Sequence, residues 1–384
     1  MGVFGCIKRY SGIFLADVTA SMGLYYLWNK GYKYLVPTMS LCGIGVSYLY
    51  CRLKSRDKLS SNDAIVITGC GSGLGFSLAL HCRQLGATVI AGVLQMDGPA
   101  VKQLRAEGVI VFPLDLIEVN SITGFTDSVR AVILQKKLVL RCLINNAAVM
   151  VFGEFEWQTH GQFRTQLEVN FLGALTVTQE LMPLIRAHYS RIIVVSSHCT
   201  TQPIPGASVY SGTKAAVSAW ATALRVELKK YGIRVVSVVP GNQGSFIRES
   251  NIFARQADHF EAMQWVMPTE TKNFYGDYFC RYTTYFSALA REACLMKVGD
   301  SRIYETFEGA LLDRYPSAVY KNETWRYLIY HTLFTITPTF LRDRLVERFV
   351  HGPTWTKEDA ANSVEVAQKE LDGLYLSYKD DIIN

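Results

Sequence analysis

From Ala64 to Gly241 the chain alternates short apolar runs with longer amphipathic stretches. The runs read AIVIT, ATVIAGVL, VIVFPLDL, LVLRCLI, RIIVVSS and VVSVVPG. Their β-branched residues suit strands, and apolarity without alternation marks strands covered on both faces. Between them stand helix-like segments such as FSLALHCRQLG and GPAVKQLRAEG. This succession predicts an α/β fold with a doubly wound parallel sheet and helices on both faces. The first run breaks into AIVITGCGSGLG, with glycines at 69, 71, 73 and 75. Glycine lets a backbone take positive φ and approach a ligand closely. The helix that follows would aim its free N–H groups and positive dipole end at the same place, which suits a pyrophosphate.

The ends of the chain depart from this pattern. Tyr34 to Cys51 carries no charged residue over eighteen positions, and Ser11 to Trp28 carries only Asp17. About 20 apolar residues cross a bilayer, so the second stretch is a membrane-span candidate and the first a weaker one. Arg52, Lys54, Arg56 and Lys58 follow, which places the bulk of the chain on the cytosolic side. A buried or surface-lying helix is the alternative. Beyond Gly241 the chain is rich in aromatics, as in NFYGDYFCRYTTYF and WRYLIYHTLF, and from Gly352 it turns polar and acidic. The domain organisation is therefore an anchoring region at 1–57, a main domain at 58–350 whose segment from about 246 caps a substrate site, and a polar tail at 351–384.

Composition narrows the class. Of 384 residues, 49% are hydrophobic and 19% charged, enough for a sizeable core. Net charge is +6, without a dense basic block, so nucleic acid is not an expected partner. Nine cysteines show no C-x-x-C pair; they read as reduced thiols, and no metal site is expected.

The chemistry centres on VYSGTKAAV. Tyr210 and Lys214 are four apart, hence on one face of a helix. A free tyrosine has a pKa near 10, and a neighbouring ammonium favours its phenolate. The pair gains meaning from its surroundings. Thr68-Gly69-x-x-x-Gly73-x-Gly75, Asn145-Asn146-Ala147-Ala148, Asn170 in VNFLGAL, Ser197 thirteen positions before Tyr210, and Pro240-Gly241 with Ser245 follow one another in order. In this the chain resembles the short-chain dehydrogenase/reductase family, with Ala148 and Ser245 standing where that family more often has Gly and Thr.

The resemblance implies a Rossmann-type fold and a set of roles. Tyr210 is the general acid/base, Ser197 positions the substrate oxygen, Lys214 also bonds the nicotinamide ribose, and Asn170 holds a water in the proton path. Thr68, Gly69, Ser72, Gly73, Leu74, Gly75, Asp115, Asn146, Ala147, Pro240, Gly241 and Ser245, with Tyr210 and Lys214, form the cofactor site. Ser196 reads as a strand-end residue, His198 as a solvated loop histidine, Glu227 as a helix-face charge, and Asn145 as either a cofactor residue or a tie between strands.

Val93 stands where an acidic residue would bond the adenosine ribose; Asp97 is nearby, and no Arg or Lys follows until Lys102. NAD is therefore expected over NADP. AGVLQMDGPAVKQLR resembles the branch of type-2 hydroxysteroid, retinol and D-3-hydroxybutyrate dehydrogenases, near insect ecdysteroid-pathway enzymes. That resemblance implies a membrane-bound oxidoreductase for a steroid, sterol or retinoid, dimerising through the helices that carry Asn170 and Tyr210; the anchor with its basic flank suggests the endoplasmic reticulum, and Lys8 and Arg9 without an acid in the first sixteen residues leave a mitochondrial membrane open. A small-acid enzyme using Arg248 or Arg255, and a non-catalytic binding protein on the same fold, are the alternatives.

Overall fold

The computed structural model describes residues 25–26, 30–31, 55–241, 255–289, 298–323, 325–350, 352–364, 366 and 368. The apolar runs become β1 (Asp63–Thr68), β2 (Thr88–Val93), β3 (Ile110–Pro113), β4 (Val139–Asn145), β5 (Arg191–Val195) and β6 (Arg234–Val239). A further strand, β7 (Val319–Lys321), has no counterpart among the expectations. It is three residues long with both ends exposed, so no apolar run marks it. All pair in parallel in the order β3-β2-β1-β4-β5-β6-β7. The order reverses between β1 and β4, which opens a crevice outside their carboxyl ends.

Helices α1 (Gly73–Gln84), α2 (Pro99–Ala106), α3 (Val119–Gln135), α4 (His160–Leu167), α5 (Gly173–Ala187) and α6 (Ser208–Lys229) connect the strands. One core joins Val66, Ile90, Leu143 and Ile192 of the sheet to Phe125 and Val129 of α3 and to Leu181 and Ile185 of α5. Each such fully buried side chain contributes roughly 1.5–3 kcal/mol. Beyond β6 come α7 (Gln256–Val266), α8 (Thr269–Leu289), α9 (Ser301–Leu312), α10 (Trp325–Ile336) and α11 (Thr339–Phe349).

Asn170, expected inside a regular helix, lies in a π-helical turn, Glu168–Leu172, between α4 and α5. The polar tail begins as packed structure: Asp359 is buried and accepts from Arg281 Nη2 at 2.6 Å, which holds its carboxyl down at about 2. The chain divides into two compact units, one of 1–58 with Leu312–Pro316 and one of 59–311 with 317–384. In the first unit Arg56 bridges Asp313, Nε to Oδ1 at 2.8 Å. Among the described residues no helix is long and apolar enough to cross a membrane. The stretch 34–51 and nearly all of 11–28 lie outside the described residues, as do Ser245 and Arg248.

Candidate active site

The crevice is built by hydrogen bonds between two strand ends. Thr68, buried at the end of β1, accepts the N–H groups of Asn146 (3.0 Å) and Ala147 (3.1 Å) on its Oγ1. Asn146 Nδ2 returns bonds to the carbonyls of Thr68 (3.0 Å) and Gly69 (3.2 Å). The two turns approach so closely that only glycine fits. Gly69 has φ +73°, and a Cβ there would stand 2.7 Å from Ala147 Cα. A Cβ on Gly75 would overlap the Gly69 carbonyl and the Asn146 amide. Ser72 precedes α1 without capping it, and no acid occupies the first turn. The first N–H groups of α1 are thus offered outward beside Gly71, where a Cβ would meet open space. This donor set fits the diphosphate of a dinucleotide.

Other expected cofactor residues serve the frame. One carboxylate oxygen of Asp115 accepts from Ile117 N–H at 2.9 Å and shapes the turn into α3. Leu74 is buried in α1. Gly241, following Pro240, is buried where a side chain would run into the Asn322 carbonyl. Asn145 ties β4 to α5 through Thr178 Oγ1 at 2.9 Å, not to a neighbouring strand. Val93 is fully buried and cannot face a ribose; the first exposed residue beyond β2 is Leu94.

The candidate chemistry stands across the crevice. β5 ends at Val195, Ser196 continues the sheet by bonding its N–H to Val238 O, and Ser197 follows. Ser196 Oγ is paired with Thr200 Oγ1 at 2.9 Å, which leaves Ser197 as the serine beside Tyr210. Tyr210 and Lys214 rise from the first turns of α6, both buried, with Lys214 Nζ 5.9 Å from the phenol ring centre. Lys214 Nζ donates to Val195 O at 3.0 Å.

The electrostatics correct the simple expectation from spacing. Burial pushes the Tyr210 phenol above its ordinary value, the nearby Cys199 adds to that, and the hydrogen bond with Ser197 opposes it. Burial likewise pulls the Lys214 ammonium down to about 8. Desolvation is the leading cause in both cases and disfavours both charged forms.

Asn170 is spent on structure. Its Oδ1 accepts from Val149 N–H at 2.7 Å, and its Nδ2 donates to Val149 O (2.8 Å) and Thr213 Oγ1 (3.0 Å). Both amide hydrogens are engaged, so the side chain clamps the segment after Ala148. Thr213, which the motif did not single out, completes the clamp by donating to Tyr210 O at 2.7 Å. His198 is also corrected: it is mostly buried, and burial followed by the nearby His331 pulls its imidazole down to about 4.

An aromatic cluster lies against Tyr210. It includes Phe152 and Trp157 from the segment after β4, Phe260 and Met263 of α7, and Tyr278, Phe279, Tyr282 and Phe286 of α8. Trp157 meets Tyr275, Phe279 and Tyr282 edge-on with centroids 5.0–5.2 Å apart. Gln256 seals α7 to that segment, accepting from Phe152 N–H (2.9 Å) and donating to Phe152 O (2.6 Å). Arg255 next to it is three-quarters exposed.

The glycine turn at the switch point and the Ser197, Tyr210 and Lys214 group are the two parts of the candidate site. Residues 63–253 match the short chain dehydrogenase family, and the chain belongs to that family. Estradiol 17-beta-dehydrogenase 2 of Rattus norvegicus is 34% identical over 253 residues, covering 62% of this chain and 64% of the relative. Mitochondrial D-beta-hydroxybutyrate dehydrogenase of Mus musculus is 32% identical over 205 residues, covering 52% and 59%. Retinol dehydrogenase 7 of Rattus norvegicus is 29% identical over 289 residues, covering 73% and 87%. The chain thus spans less than two thirds of the length of the first two.

Proposed function

We propose that the protein is a membrane-associated oxidoreductase that interconverts a secondary alcohol and a ketone on a bulky apolar substrate of the steroid, sterol or retinoid class. The observation that carries this reading is the aromatic cluster continuous with Tyr210. A bulky apolar substrate brought against Phe152 and the rings of α8 would gain by burying apolar area, at roughly 25 cal/mol per Å². The names of the estradiol and retinol dehydrogenases among its relatives agree with it.

A nicotinamide dinucleotide, when bound, takes or gives the hydride. The chain's own residues manage the proton. In reduction the Tyr210 phenol, held protonated by burial, gives its proton to the carbonyl oxygen as hydride reaches the carbon. In oxidation Tyr210 must first give up its proton; its oxygen then takes the alcohol proton, with the Ser197 hydroxyl as hydrogen-bond partner of the phenolate. Thr68, Gly69, Ser72, Gly73, Gly75, Asn146 and Ala147 would hold the dinucleotide, together with Pro240 and Gly241 and, by the family resemblance, Ser245. NAD is favoured over NADP because no basic residue follows β2 before Lys102. The stretch 34–51 is assigned as an anchor that keeps the domain at the cytosolic face of the endoplasmic reticulum. Exposed Leu172 in the π-helical turn that carries Asn170 and exposed Val226 on α6, which carries Tyr210, suit a homodimer through those two elements.

The test is NADH and NADPH formation by membranes carrying the chain, on steroids, sterols, retinol and D-3-hydroxybutyrate, with Tyr210→Phe as control. A Tyr210-dependent signal on an apolar alcohol is expected. A signal confined to hydroxybutyrate would transfer the site to small acids and make Arg248 and Arg255 the next residues to replace.

A further inference from the structure

The turn that follows Ser197 carries a side-chain cluster that the redox chemistry does not use. His198 opens that turn, Glu323 follows β7, and His331 lies on α10. Three segments far apart in sequence thus bring two imidazoles and one carboxylate together. His198 Nδ1 is 3.5 Å and His331 Nδ1 3.1 Å from the same Glu323 Oε1. One ligand atom from each residue falls within 4.8 Å of the others, and among the described residues this group is the candidate of its kind. The side chains are 14%, 9% and 15% exposed.

These spacings can be compared with those a metal requires. Zinc bonds of about 2.0–2.1 Å in a tetrahedron set neighbouring donor atoms roughly 3.3 Å apart. The two oxygen–nitrogen separations bracket that value. The two imidazole rings lie 4.6 Å apart, tilted by 37°, so modest side-chain rotation closes the third edge. Lys321 Nζ is 3.3 Å from the same oxygen, but its side chain is half exposed and free to turn to solvent. Two nitrogens and one oxygen form a donor set of borderline softness, suited to zinc and its neighbours rather than to magnesium or calcium. Three protein ligands leave a fourth position for water.

We infer that His198, Glu323 and His331 form a binding site for a zinc-class divalent cation, which pins the Ser197-bearing turn to β7 and α10. The cluster uses none of the residues assigned to the dinucleotide or to the proton path, and it is testable whether or not the proposed substrate is correct.

The full chain, purified in detergent and stripped with a chelator, is titrated with cobalt(II) as a visible probe of zinc sites. Bound metal is measured after gel filtration. Wild type is expected to take up about one equivalent with the intense ligand-field bands of tetrahedral coordination, and zinc is expected to displace it. His331→Gln and Glu323→Gln should each weaken binding at least tenfold, while His160→Gln on α4 should not. Zinc should raise the thermal midpoint of wild type and leave both ligand variants unmoved. Wild type that binds no cobalt, or binds it as strongly after either substitution, overturns the site. Because the first of these outcomes needs only the unmutated chain, misfolding of a variant cannot rescue the proposal.

Discussion

The crevice and the aromatic cap meet at Tyr210 but are held together by different forces. In the crevice, Thr68 and Asn146 lock β1 to β4 with directed bonds of 3.0–3.2 Å, and Gly69 and Gly75 remove the side chains that would block the approach. Over the phenol, Trp157 and the rings of α8 pack by area and shape. Directed bonds define positions to fractions of an ångström, whereas aromatic packing tolerates exchange among rings of similar volume. The first region suits chemistry that must be placed, and the second suits a substrate that must be enclosed.

The largest expected effect separates the two regions. Tyr210→Phe should lower turnover by about 10³, within the usual range for losing a general acid/base, and leave near-UV circular dichroism of the cap unchanged. An equal loss of cap signal would show that the phenol is part of the packing and not of the chemistry. Trp157→Ala should cost about 3–5 kcal/mol, as large aromatic truncations in cores do, measured by denaturant unfolding. A cost below 1 kcal/mol would mean that the cap is not a core. Thr68→Val strands two backbone N–H groups at about 1–3 kcal/mol each. Thr68→Ser should restore most of this, and a Val variant as stable as wild type would remove the hydrogen-bonded lock from the account.

A smaller effect follows from Lys214. Its ammonium is pulled to about 8 in the folded chain against about 10.4 free. Between those values the unfolded chain binds more protons, so this group makes stability rise with pH there, by at most about 1.4 kcal/mol per unit. Comparing the unfolding free energies of wild type and Lys214→Met from pH 8 to 10 isolates the contribution. The difference should grow in favour of wild type, and a flat difference would mean that the lysine is not desolvated.

The two regions were also unequally legible in the sequence. β1 to β6 are continuous β-branched runs, and the crevice residues sit at spacings that a backbone turn imposes, so both could be read from the chain. Tyr210, Lys214 and Ser197 were placed for the same reason. β7 escaped because three half-exposed residues carry no period. Val93 was assigned outward because sequence does not say where a buried strand ends and its first exposed residue begins. Thr213 was missed because its role depends on Asn170 standing opposite, and His198 was misread as solvated because Glu323 and His331 reach it only through the fold. The cap shows its aromatic content in the sequence but not which rings meet, since α7 and α8 carry no short-range signal for tertiary packing.

The most direct test of this division of labour is the kcat and KM of Phe152→Leu on an apolar secondary alcohol. Phe152 packs against Phe286 at 4.4 Å and shares the cluster with Tyr210, yet contributes no group to the proton path. The account predicts a KM raised about tenfold, as for the loss of roughly 1.4 kcal/mol of binding, with kcat within about threefold of wild type. A KM unchanged beside a kcat lowered by the same factor would contradict it, because the cap would then be acting on the transition state and not enclosing the substrate.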